Sequence, residues 1–142
     1  FRGLRTLTEQ DLLSGSIPAD TIGLGSYIID IHDGGGNGTI VKKVCPYGMP
    51  YGMTVSADLS NLMFSGRCAS MDAVALSSCR VMPPLMAMGQ AAGVGAALAV
   101  RSGVEPGEVP VEQVREILRR DGAILQPGPE RIHMTIEQMQ TH

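Results

Sequence analysis

The feature that most constrains this chain is the apolar run over residues 81–100, VMPPLMAMGQAAGVGAALAV, built almost wholly of Ala, Gly, Met, Val and Leu. A run of that length reads as a helix. The Pro83-Pro84 pair sets its start near residue 82, because amides in a first helical turn have no intrahelical partner for proline to remove. Gly89, Ala92, Gly93 and Ala96 recur at helical spacing, so one face is nearly bare and another backbone can approach it closely. Each interior glycine costs roughly 0.5–1 kcal/mol relative to Ala, so the glycines at 89, 93 and 95 call for a compensating contact. We therefore expect a long, buried Ala/Gly-rich helix.

The segment has about the ~20 residues that a membrane span needs, and Gly89-x-x-x-Gly93 is a helix-pairing pattern. Against a span stand the weak hydrophobicity of Ala and Gly, the polar Gln90, the two prolines and the absence of an aromatic belt. A soluble core helix is the expectation. Just upstream, Leu62, Met63 and Phe64 form a short apolar run that breaks at Gly66-Arg67, which reads as a buried strand followed by a turn and a loop.

Thr8 before Glu9, Gln10 and Asp11 reads as a helix N-cap, and Gly15 would end that short helix. Residues 25–32, GSYIIDIH, are β-branched and partly alternating, hence a strand, and residues 39–44 return as a second one. The Asn37-Gly38 pair between them predicts a hairpin. A phosphate-loop reading of the Asp33-Gly-Gly-Gly stretch fails, because a strand follows it rather than a helix N-terminus. Residues 45–55, with two prolines and two glycines, read as an irregular connection in which Tyr47 and Tyr51 pack the loop. Past the long helix, Val111, Val114, Ile117 and Leu118 share one face while Arg115, Glu116, Arg119 and Arg120 lie mostly on the other. That is an amphipathic surface helix, stopped by Asp121-Gly122 and followed from Gln126 by a tail without strong pattern.

With 142 residues one domain is expected. A net charge of −3 leaves no electrostatic footprint for nucleic acid. Cys45, Cys68 and Cys79 make neither a C-x-x-C nor an even set, so neither a disulfide framework nor a zinc site is indicated. A reducing, cytoplasmic setting is the simplest inference. There is no G-x-S-x-G and no H-E-x-x-H, so no hydrolase constellation emerges. Arg67 and Arg80 stand out as isolated cations in apolar surroundings, where a guanidinium is retained only with acceptors for its fork; a structural ion pair with Asp72 or Asp58 would also satisfy it. His133 and His142 read as solvated, whereas His32 closes a strand two residues after Asp30.

The strings NLMFSGRC, CRVMPP and MAMGQAAG, in that order, resemble the C-terminal flavin-contacting motif of the FAD-dependent oxidoreductase family, which is distantly similar to the fumarate reductase and succinate dehydrogenase flavoproteins. Landmarks upstream, Gly3, Leu7, Thr8, Asp11 and Leu12, extend the resemblance over about residues 1–102. It implies an α/β fold, the C-terminal fragment of an FAD/NAD(P)-binding Rossmann-like flavoprotein from a bacterium. Residues 1–60 would be residual substrate-domain and connecting strands, 61–104 the flavin-contacting strand, loop and helix, and 105–142 a C-terminal helix and tail. The implied cofactor is FAD, held by Gly66, Arg67, Pro83, Pro84, Leu85 and Met86. The amides of Leu85 and Met86 would be donors, since Pro83 and Pro84 have none.

The resemblance also implies that Arg80 and His32 grip the carboxylate of a small-molecule substrate, with hydride passing to or from the flavin. The family's His-Glu pair is replaced by Ala73 and Val74, which points to a different substrate. No G-x-G-x-x-G is present, so the partner expected for the piece is a missing N-terminal FAD-binding portion of the same protein, without which the piece is expected to be inactive and to self-associate. The competing reading is a non-catalytic assembly or interaction domain that kept the flavoprotein fold.

Overall fold

A computed structural model describes residues 1–32 and 39–128. Helix α1, Glu9–Ser14, begins as expected at Thr8: the Asp11 carboxylate accepts the Thr8 amide at 3.0 Å, the Thr8 hydroxyl accepts the Asp11 amide at 3.4 Å, and Gly15 at φ 62° closes it. Of the strand expected over residues 25–32 only β2, Ile29–His32, forms, and it is preceded by a strand the sequence did not suggest, β1 (Thr21–Gly25), which pairs with a different partner. Strand β2 forms the expected antiparallel pair with β3, Thr39–Lys42, with Asp30 opposite Val41 and His32 opposite Thr39. The Asn37-Gly38 turn and the glycine run lie outside the described residues.

Strand β1 pairs instead with β4, Tyr47–Pro50, in a stretch whose prolines and glycines suggested a loop. All four β4 residues are buried, so its sequence lacks the polar alternation that marks a half-exposed strand. Gly25 is required there: a Cβ would lie 2.4 Å from the Tyr47 ring. The run at Leu62, Met63 and Phe64 is not a strand, and makes only a single bridge, Met63 to Val55. The presumed loop before Arg80 contains α2, Ala73–Cys79. Asp72 caps it, one carboxylate oxygen accepting the Ala75 amide at 2.7 Å and the other the Glu9 amide at 2.8 Å, so one side chain ties the starts of α1 and α2 together.

Helix α3, Met82–Ser102, starts where the prolines predict and is closed by Gly103 at φ 66°. By length and composition it could cross a membrane, and Pro84, Met88, Ala91, Gly95, Leu98 and Ala99 bury one side of it in the core. The other side corrects the expectation of a buried helix with a close-packed bare face. Gly89 and Gly93 are exposed, and among the described residues no atom lies within 4 Å of the place a Gly93 Cβ would take. Only Gly95 compensates its propensity penalty by close contact, against Tyr51, whose hydroxyl would stand 2.5 Å from an added Cβ. Helix α4, Val111–Arg120, packs on α3 through Val114 and Leu118, and Arg115, expected on the outer face, is buried with them.

The expected α/β character is present as mixed helix and strand, and among the described residues both sheets are two-stranded and antiparallel. One apolar cluster, from Leu7 to Leu125, runs through all three stretches into which the sequence was divided.

Candidate functional site

The order of elements brings four segments to the start of α3. Arg80 caps the C-terminus of α2, Val81 and Met82 open α3, Arg67 sits in a short 3-10 turn, Gly66–Cys68, and the β1–β2 link supplies Tyr27. Together with Asp30 and Leu76 they line a cleft of about 670 Å3. Arg80 Nη2 donates to both the main-chain carbonyl and the carboxylate of Asp30, at 3.2 Å each. The same carboxylate lies 3.4 Å from Nε2 of His32. Arg67, an exposed residue, lines the same cleft, and its Nε donates to the Arg80 carbonyl at 3.4 Å. Asp72 and Asp58, the acidic partners weighed from sequence, are engaged elsewhere, in the helix cap and with Arg2.

Behind this cleft a buried polar pair fixes its walls. The Ser78 hydroxyl donates to the Tyr27 carbonyl and accepts from the Tyr47 hydroxyl at 2.7 Å, and Tyr47 also lies 3.4 Å from the Cys79 thiol. Burial pushes the Cys79 thiol up to about 11 and raises the Tyr47 phenol, so both stay neutral. A single buried hydroxyl thus links the α2 end that carries Arg80 to the link that carries Tyr27.

The residues expected from sequence do not all meet. Arg67, Arg80 and the α3 start converge, and Gly66 adjoins them at φ 82° with open space over its backbone. His32 stands behind Asp30, two-thirds exposed. Pro83 is exposed, whereas Pro84 is buried in the core. The Leu85 amide is not a free donor, since it bonds the Val81 carbonyl at 3.4 Å, and the Met86 amide falls within the helical ladder beyond it. Met82 is the one residue of the first turn whose amide keeps no main-chain acceptor among the described residues. The Met86 side chain faces a second cleft, of about 680 Å3, bounded by β1, Pro46, α3 and Ile124. Sequence reasoning missed Asp30, Tyr27 and Ser78, whose roles arise from pairing partners some 50 residues away. Among the described residues no group of three or more His, Cys, Asp or Glu could hold a metal.

A family model described as FAD dependent oxidoreductase matches residues 1–118. No curated protein and no solved structure matches the chain.

Proposed function

Because the chain belongs to the FAD dependent oxidoreductase family, whose cofactor is FAD, we propose that the cleft at the start of α3 receives the ring end of FAD beside a small organic substrate. The residues fit that part of the cofactor. Leu76, Val81, Met82 and Tyr27 offer apolar surface for a flat ring, and Arg67, Arg80 and the Met82 amide offer donors for its electron-rich edge. The pyrophosphate and adenosine would be held by a dinucleotide-binding unit contributed from outside these 142 residues, which contain no G-x-G-x-x-G.

FAD, when bound, supplies two-electron chemistry, taking or returning a hydride. The chain's own residues then have distinct tasks. Arg67, tethered by one nitrogen to the Arg80 carbonyl, keeps its remaining donors for an anionic or carbonyl acceptor. The N-terminus of α3 adds about half a positive charge in the same direction. Arg80, held by Asp30, presents a positioned cation to a substrate carboxylate, and His32 stands behind that carboxylate pair rather than at the cleft wall. The apolar wall excludes water from the reacting pair.

The observation that carries this reading is the convergence of two arginines on the start of a 21-residue helix. It is tested at Gly66. A side chain there is strained at φ 82° by about 1–2 kcal/mol and fills the open space over the backbone. Gly66→Val is expected to weaken FAD at least tenfold in a fluorescence titration of the flavin-loaded protein, and unchanged affinity would contradict the assignment. A non-catalytic assembly module is the second reading, favoured by the open Gly89 and Gly93 face of α3. It requires the purified protein to carry no flavin.

A further inference from the structure

The second cleft has no task in the function proposed above, and its chemistry is distinct. Among the described residues, Ile22, Leu24, Pro46, Met86, Ala87 and Ile124 line it, no charged side chain does, and its polar contributors are Ser26 and Gln90. The two clefts are neighbours by construction. Tyr27 lines the first and Ser26 the second; Met82 lines the first and Met86, one helical turn or about 6 Å further along the same exposed face of α3, lines the second. Among the described residues charge is confined to one end, where two guanidinium groups face the single Asp30 carboxylate and leave one excess positive charge. Side by side along α3, the two clefts thus offer a cationic site and, among the described residues, an uncharged apolar one.

We infer that the organic substrate is a monocarboxylic acid with an unbranched apolar chain of several carbons, its carboxylate at Arg80 and its chain along α3 beneath Met86 and Ile124. A compact dicarboxylate would leave the apolar cleft empty and bring one more negative charge than the cationic end can match. The inference rests on the reading of the arginine cleft as the substrate-carboxylate site and names the class of substrate that site takes.

The experiment is calorimetric titration of the flavin-loaded protein with straight-chain acids from acetate to octanoate and with the matched alcohols. Each methylene buried in the apolar cleft is expected to tighten binding roughly three- to fourfold, and the alcohols to bind more weakly at every length. Ile124→Glu, an exposed position outside the matched family segment, is expected to abolish the progression. Arg80→Gln is expected to weaken every acid by a similar factor and to keep the progression.

Affinity independent of chain length, alcohols that bind as well as acids, or no binding of any acid would each overturn the inference. Flavin content is read separately from the absorption spectrum. A protein that holds FAD without the progression refutes the substrate class alone. One that shows the progression without FAD refutes the flavin reading alone.

Discussion

Nη2 of Arg80 stands 3.2 Å from both the main-chain carbonyl and the carboxylate of Asp30, so one guanidinium nitrogen joins the end of α2 to strand β2. The pair is only part-buried, with the Arg80 side chain 39% exposed, and its Coulomb energy is correspondingly screened. Asp30→Asn should cost about 1 kcal/mol in urea denaturation. It should also raise the affinity for acetate severalfold at low salt by removing the one negative charge of the cleft, a gain that fades by about 0.5 M salt. Unchanged acetate affinity would show that Asp30 does not set the charge of the cleft.

The two glycines of α3 two residues apart should respond in opposite senses. Gly93 is exposed with empty space around its absent Cβ, so Gly93→Ala should stabilise the 142-residue chain by roughly 0.5–1 kcal/mol through helix propensity. Gly95→Ala gains the same propensity but drives a methyl against the buried Tyr51 ring, which itself donates to the Pro106 carbonyl. A net loss of about 1–3 kcal/mol is expected. Thermal melts of the two variants decide it, and a stabilising Gly95→Ala would mean that Tyr51 is free to move.

Alkaline pH should unfold the chain through groups that burial keeps neutral. The Cys79 thiol is raised from 9.0 to about 11 and the Tyr51 phenol from 10.0 to about 12, both chiefly by burial. Raised acids favour the folded state below their unfolded values, and that contribution is lost as pH climbs through the folded ones. Stability should therefore be level up to about pH 9 and fall above it, by up to about 1.4 kcal/mol per pH unit for each group. Cys79→Ala should remove the earliest part of the decline. In the native protein at mildly alkaline pH, exposed Cys68 should react with a thiol reagent while Cys79 reacts only on unfolding.

What the sequence made legible was local. Thr8, Gly15, Pro83 and Gly103 mark helix ends by capping and breaking chemistry that needs no distant partner, and α1 and α3 begin and end there. Strand β4 was hidden because Gly48 and Pro50 serve as pairing residues in a stretch buried throughout, and α2 because it is only seven residues long and ends in Ser-Ser-Cys. Arg67 and Arg80 were visible as cations out of place. Their true partners were not, since Asp30 reaches Arg80 only where β2 packs against the end of α2, some 50 residues away in the chain. The bare face of α3 was visible too, but composition cannot tell a face that meets backbone within the chain from one left open.

The central claim is that Arg67 at the start of α3 faces the electron-accepting end of FAD, and the flavin's two-electron reduction potential tests it most directly. Spectroelectrochemical titration of the flavin-loaded protein should give a potential roughly 30–60 mV lower in Arg67→Gln than in the parent, corresponding to about 1.4–2.8 kcal/mol of lost stabilisation of the reduced state. Arg67→Lys, which keeps the charge without the fork, should fall between them. If Arg67→Gln retains FAD and shows the parent's potential, the arginine does not face the flavin and the account of this cleft is wrong.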